Sequence, residues 1–203
     1  MIGIIDYGMG NLRSVQKAVE RSNVQASIIT QPQQFAECDK LILPGVGAFK
    51  DAIQHLNERD MSEPIRAFVA SGKPMLGICL GLQLLFDVSE EDGEHEGLGL
   101  IGGRVVRFQP DDHALKVPHM GWNAINWSDS PNPLLTGITP GSHVYFVHSY
   151  FACPTDDAVI GTTTDYAGTF CSSVRKGNLY ATQFHPEKSQ NIGLRMLANF
   201  VGL

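Results

Sequence analysis

Gly77-Ile78-Cys79-Leu80-Gly81 constrains the fold more than any other stretch of the chain. One cysteine stands between two glycines where an apolar run changes character. Residues 74–78 read as a short buried strand, and residues 80–86 as the start of a helix. A sharp strand-to-helix corner strains the residue at its apex and crowds the flanking positions, which is why glycine suits them. The spacing matches the G-x-S-x-G nucleophile elbow, with sulfur in place of oxygen. Such a corner exposes the sulfur and aims a helix N-terminus at it, which favours negative charge there. A lone cysteine in an apolar run is more often inert packing, so the elbow needs partners elsewhere in the chain.

The surrounding pattern makes room for the corner. Strand signals at residues 1–6, 26–29 and 40–43 alternate with helical signals at 11–21, 48–57 and 62–71. This β-α-β-α order predicts an α/β fold: an open, mostly parallel sheet flanked by helices, with ligands beyond the carboxyl ends of its strands. Loops 7–11 and 44–49 fall at that edge with the elbow. After residue 88 the pattern changes. Residues 89–96 are acidic and loop-like. Short strands are predicted at 104–108, 143–150, 158–164, 170–175 and 179–184, as antiparallel additions or a small second layer, with a closing helix over 189–200. The 203 residues suit one domain, 1–203.

A net charge of −6 without a Lys/Arg run argues against nucleic acid. No apolar stretch is long enough to span a membrane, and residues 1–6 lack the basic start of a signal peptide. Cys38, Cys79, Cys153 and Cys171 show no metal-binding spacing, so they predict reduced thiols in a cytoplasm and no metal.

A cysteine nucleophile needs a base, and the base an orienting group. Of His55, His95, His113, His119, His143, His148 and His185, the last stands out. Gln183-Phe184-His185-Pro186-Glu187 closes an apolar strand before the final helix. In an extended chain His185 and Glu187 point the same way. By itself a His-x-Glu pair is more often a surface polar cluster; its place at a strand end beside the elbow points to catalysis. Acyl chemistry also needs an oxyanion hole. The Leu80 N–H is one candidate donor, and the peptide of Gly45 and Val46 in Pro44-Gly45-Val46-Gly47 another, although such glycines also make ordinary tight turns.

Pro44-Gly45-Val46-Gly47, Gly77-Ile78-Cys79-Leu80-Gly81-Leu82-Gln83 and His185-Pro186-Glu187 together resemble the class I (triad) glutamine amidotransferases, a family with a flavodoxin-like fold. The resemblance runs from the first strand to the last helix. It implies that Cys79 attacks the side-chain amide of glutamine, His185 moves the proton, Glu187 orients His185, and no cofactor takes part. It also implies glutamine binding by Gly47, Gln83, His148, Ser149 and Tyr150. Tyr7-Gly8-Met9-Gly10-Asn11, Pro118-His119-Met120-Gly121-Trp122-Asn123 and His185-Pro186-Glu187-Lys188-Ser189 narrow the likeness to the glutaminase subunits of imidazole glycerol phosphate synthases. That branch implies a cyclase subunit, a (β/α)8 barrel, as heterodimer partner. Asn11, Arg13, Met120, Trp122, Asn123 and Lys188 are then expected at the contact, Trp122 either as an anchor or as an ordinary core residue. The chain holds no acceptor site of its own, so by itself it is expected to be a poor glutaminase, with the Gly45–Val46 peptide not yet turned for catalysis. A cysteine peptidase, a non-catalytic binding subunit and an amidotransferase with another acceptor remain the alternatives.

Overall fold

The computed structural model describes residues 1–110, 115–128 and 132–203. His113, one of the seven histidines considered, lies outside them. The first half alternates strand and helix: β1 (Ile2–Ile5), α1 (Leu12–Glu20), β2 (Ala26–Ile29), β3 (Lys40–Gly45), α2 (Phe49–Glu58), α3 (Ser62–Ala70) and β4 (Met75–Cys79). A one-turn helix, α4 (Leu80–Gln83), leads into β5 (Phe86–Ser89), β6 (His95–Glu96) and β7 (Ile101–Arg107). Then come β8 (His119–Ile125), β9 (Ser142–His148), β10 (Tyr150–Pro154), β11 (Ile160–Asp165), β12 (Thr169–Lys176), β13 (Leu179–Thr182) and α5 (Gln190–Val201).

One large mixed sheet runs β2-β1-β3-β4-β13-β12-β10-β7-β5-β6, with β11 beside β12. It is parallel from β2 through β13 and turns antiparallel at β12. Successive side chains of β3 and β4 enter opposite layers. Leu41, Leu43 and Met75 join Phe49, Leu56 and Phe68 of α2 and α3. Ile42 and Leu76 join Val15, Val19, Leu197 and Phe200 of α1 and α5 on the other face. Each fully buried aliphatic chain contributes roughly 1.5–3 kcal/mol of transfer free energy, so this two-faced burial fixes the register of the strands that carry the elbow. β8 and β9 form a separate antiparallel ribbon, His119 opposite His148. A third apolar cluster, including Phe108, Phe146, Phe170 and Phe184, packs beneath it.

Three sequence expectations need correction. The helix after Cys79 does not reach residue 86. The backbone carbonyls of Leu84 and Leu85 accept N–H groups from Leu98, Leu100 and Ile101, so the chain leaves the helix for a strand. Residues 143–150 are not one strand: β9 and β10 belong to different sheets and part at Ser149. β8 is a strand that the sequence reading did not foresee.

Candidate active site

Cys79 ends β4 with φ +57° and ψ −109°, a conformation rare for a side-chain-bearing residue. The two glycines explain how the corner closes. A Cβ on Gly77 would come within 2.7 Å of the Gly81 carbonyl oxygen, and one on Gly81 would overlap the Leu43 carbonyl oxygen of β3. A Cβ on Gly45 would lie 2.6 Å from the Tyr7 hydroxyl and 2.8 Å from Leu80 Cβ. Strand, elbow and first loop therefore meet backbone to backbone. With only four residues, α4 is too short to bring a developed macrodipole to the sulfur, so charge at the elbow must be balanced by side chains.

His185 supplies that balance. Its N–H bonds the Tyr145 carbonyl at 2.9 Å, and its own carbonyl accepts Ser189 Oγ at 2.6 Å. Its Nδ1 donates to Glu187 Oε1 at 2.8 Å, with both side chains at most 2% exposed. The pairing is not the extended-chain alignment expected from sequence. β13 ends at Thr182, and a 3-10 turn at Pro186–Lys188 folds Glu187 back onto the ring. Nε2 falls short of a formed hydrogen bond to any group among the described residues, yet the Cys79 sulfur is near enough to act on the ring. Burial would push the His185 pKa down; the Cys79 sulfur and the Glu187 carboxylate outweigh it and raise it to about 9. Both partners thus favour the charged form of the ring beside the sulfur.

Cys79, only 7% exposed, and His185 line one cavity of ≈ 310 Å³. Val46, Gly47, Leu80, Gln83, His148, Ser149 and Tyr150 also border it. Gln83 Nε2 donates to the Tyr150 carbonyl at 3.0 Å and to Gln183 Oε1 at 3.2 Å, leaving Gln83 Oε1 for a ligand. Gln183 Nε2 in turn lies 3.9 Å from Cys79 Sγ. Gly45 pairs with Cys79 in the β3–β4 ladder.

The sequence profile described as glutamine amidotransferase class-I matches residues 3–202. The chain belongs to the class-I glutamine amidotransferase family. The amidotransferase is 59% identical to imidazole glycerol phosphate synthase subunit HisH of Rhodopirellula baltica over 98% of this chain and 96% of that one. It is 55% identical to the HisH subunit of Syntrophotalea carbinolica over 98% of each chain. Among solved structures, PurLQS from Thermotoga maritima superposes with a TM-score of 0.77 at 17% identity, covering 99% of this chain and 97% of that one. A structure titled as a glutamine amidotransferase gives 0.75 at 19% identity, covering 100% and 99%. At those identities the two structures speak for the fold.

The residues expected at a partner contact lie on the amidotransferase's surface in different ways. Met120 is 63% exposed and Trp122 46% exposed. Trp122 meets the Tyr145 ring edge-on at 6.1 Å, and Lys188 Nζ sits 6.0 Å from the same ring. Asn11 is exposed at the start of α1, and Arg13 bonds Gln16. The Asn123 side chain turns inward, to His119 and the Asp165 carbonyl.

Sequence reasoning missed Glu91, Gln183 and Tyr7. Glu91 borders the cavity and accepts the Phe49 N–H, at the start of α2, at 2.7 Å. Burial raises its pKa against that hydrogen bond. It sits in an acidic stretch that reads as a solvated loop, and no local pattern links it to a helix 42 residues away. The Tyr7 hydroxyl, wholly buried, donates to the Pro44 carbonyl at 3.0 Å. Burial, reinforced by the Cys79 sulfur, drives its pKa upward.

Proposed function

We propose that residues 1–203 act as one amidotransferase domain that releases ammonia from glutamine through a Cys79 thioester. Glutamine hydrolysis for imidazole glycerol phosphate synthase, in histidine biosynthesis, is the activity of the branch to which the chain's relatives belong. The observation that carries the mechanism is one cavity lined by a strained cysteine and by His185, whose other ring nitrogen is held by buried Glu187.

In this reading the Cys79 sulfur attacks the side-chain carbonyl carbon, and negative charge moves to the oxygen. N–H groups of Leu80 and of the Gly45–Val46 peptide receive that charge. His185 Nε2 delivers its proton to the amide nitrogen as the C–N bond breaks and ammonia leaves. The ring, now neutral, takes a proton from water, whose oxygen attacks the thioester and frees glutamate and the thiol. Glu187 keeps Nδ1 protonated throughout. Gly47, Gln83, His148, Ser149 and Tyr150 hold the amino-acid head, with the Glu91 carboxylate available to its ammonium.

Ammonia in water at neutral pH is mostly protonated, so the acceptor site must lie on a partner that receives it directly. That partner is a (β/α)8-barrel cyclase, docked as a heterodimer on the face bearing Asn11, Met120, Trp122, Asn123 and Lys188 in the cytoplasm. It forms imidazole glycerol phosphate and the aminoimidazole carboxamide nucleotide, AICAR. Among the described residues no helix is long and apolar enough to cross a membrane.

The test mixes the chain with its cyclase and supplies either glutamine or ammonium salt. Cys79→Ala is expected to abolish synthesis from glutamine and to leave synthesis from ammonium intact. Loss of both, or of neither, would reject the role given to Cys79.

A further inference from the structure

We propose that His119, outside the cavity lining, is a positioning residue for glutamine: a hydrogen-bond chain from Asn123 through His119 and His148 to the Tyr150 carbonyl holds Gln83 and ties the exposed ribbon to the cavity. The proposal rests on the glutaminase reading above.

The chain of contacts is continuous. Asn123 Nδ2 lies 3.3 Å from His119 Nε2, His119 Nδ1 lies 3.0 Å from His148 Nε2, and His148 Nδ1 lies 2.8 Å from the Tyr150 carbonyl oxygen. The same oxygen accepts Gln83 Nε2 at 3.0 Å. Chemistry allows one arrangement of hydrogens. The Tyr150 carbonyl only accepts, so His148 Nδ1 carries the hydrogen, and in the neutral ring Nε2 accepts. His119 Nδ1 must then donate and its Nε2 accept. Asn123 meets it with one amide hydrogen and gives the other to the Asp165 carbonyl at 3.0 Å. Its Oδ1 accepts the Ala124 N–H at 2.8 Å, which fixes the amide's orientation. A second proton on either ring would set two donors face to face. Burial also opposes it, lowering His119 to about 4 and His148 to about 3.

The rings have little freedom to turn. His119 stacks on Tyr166 at 4.0 Å and on Phe146 at 4.8 Å, and His148 packs against Phe108 and Phe170. His119 itself is buried in β8, whereas Met120 and Trp122 on the same strand are exposed. Three hydrogen bonds separate the buried ring of this strand from Gln83.

The experiment uses the chain in complex with its cyclase and measures glutamine turnover for wild type, His119→Phe and His119→Asn. Phenylalanine keeps the stacked ring and removes both nitrogens; asparagine keeps a donor where Nδ1 stands. His119→Phe is expected to raise KM for glutamine about tenfold, the effect of one buried acceptor left unpaired, with kcat within about twofold. His119→Asn is expected to restore most of that loss. Alkylation of Cys79 by iodoacetamide should proceed at the wild-type rate in both, because the chain acts on the substrate's seat and not on the sulfur. An unchanged KM in His119→Phe overturns the proposal. So does a loss that asparagine does not restore, or one accompanied by altered alkylation, since either marks a packing role. If His119→Phe does not fold, Asn123→Ala gives the same readout from the outer end. There a rise in KM of about threefold with cyclase affinity unaltered supports the proposal, and no rise, or a rise that tracks weakened cyclase binding, rejects it. A wild-type complex without glutamine turnover would reject the glutaminase reading itself, whereas an active wild type with an unaltered His119→Phe rejects only this inference.

Discussion

Glu187→Gln isolates charge from shape at the His185 pair. Gln keeps an acceptor at 2.8 Å from Nδ1 and removes the negative charge from a site where both side chains are almost fully buried. The rise of His185 from 6.5 to about 9 corresponds to about 3 kcal/mol in favour of the imidazolium, net of the burial that opposes it. The Cys79 sulfur and Glu187 together outweigh that burial. The difference between a hydrogen bond to a charged acceptor and one to a neutral acceptor is about 1–2 kcal/mol, or roughly a 5–30-fold loss in kcat/KM for glutamine on neutralisation of Glu187. The sign of the pH effect follows. A histidine whose folded-state pKa lies above its ordinary value stabilises the protein in full below about 6.5, and that stabilisation is lost as pH rises through about 9. Glutamine turnover in the cyclase complex, followed from pH 6 to pH 10, should show a basic limb near 9 in wild type that moves to lower pH in Glu187→Gln. Ammonium-dependent synthesis should be equal in the two. A Glu187→Gln enzyme with the wild-type basic limb would refute the electrostatic role of the carboxylate.

Three further outcomes follow from named contacts. Gly81→Ala places a methyl group into the Leu43 carbonyl; it should lower stability by about 3 kcal/mol or prevent folding, read by urea unfolding, because neither partner is a flexible side chain. Tyr7→Phe frees the buried Pro44 carbonyl and should cost about 1–3 kcal/mol in the same unfolding assay, while kcat for glutamine falls more than KM rises. Trp122→Ala should change stability by less than about 0.5 kcal/mol, since Trp122 is half exposed, yet weaken cyclase affinity by at least about 2 kcal/mol in a titration. Unaltered affinity would remove Trp122 from the proposed docking face.

The elbow was legible in sequence because its constraint is local. Gly77 and Gly81 are dictated by contacts within a few residues and by the two flanking strands, β3 and β13. The end of α4 was not legible. Leu82, Leu84, Leu85 and Phe86 are all wholly buried, so the run has no polar face to reveal a period, and the partners that end the helix lie at residues 98–101. β8 was missed for the opposite reason. It buries His119 and exposes Met120 and Trp122, which inverts the usual pattern, as happens where a surface has work beyond folding. His185 and Glu187 were singled out correctly as neighbours, but their contact comes from a 3-10 turn that Pro186 opens, not from strand alternation. Glu91 could not be found, since its helix-capping role depends on tertiary approach alone.

β13 lies between β4 and β12 in the middle of the sheet, and this has a consequence for synthesis on the ribosome. The first 178 residues can emerge with β1 to β4 paired, but β4 then has one open apolar edge beside the cysteine. The strand that covers this edge and the histidine that follows it are translated together, a hundred residues after the elbow. Until they arrive, the nascent chain presents a bare strand edge of the kind that invites aggregation and chaperone capture. The same insertion that closes the edge delivers His185 and Glu187, so the proposed triad is completed only in the step that seals the sheet.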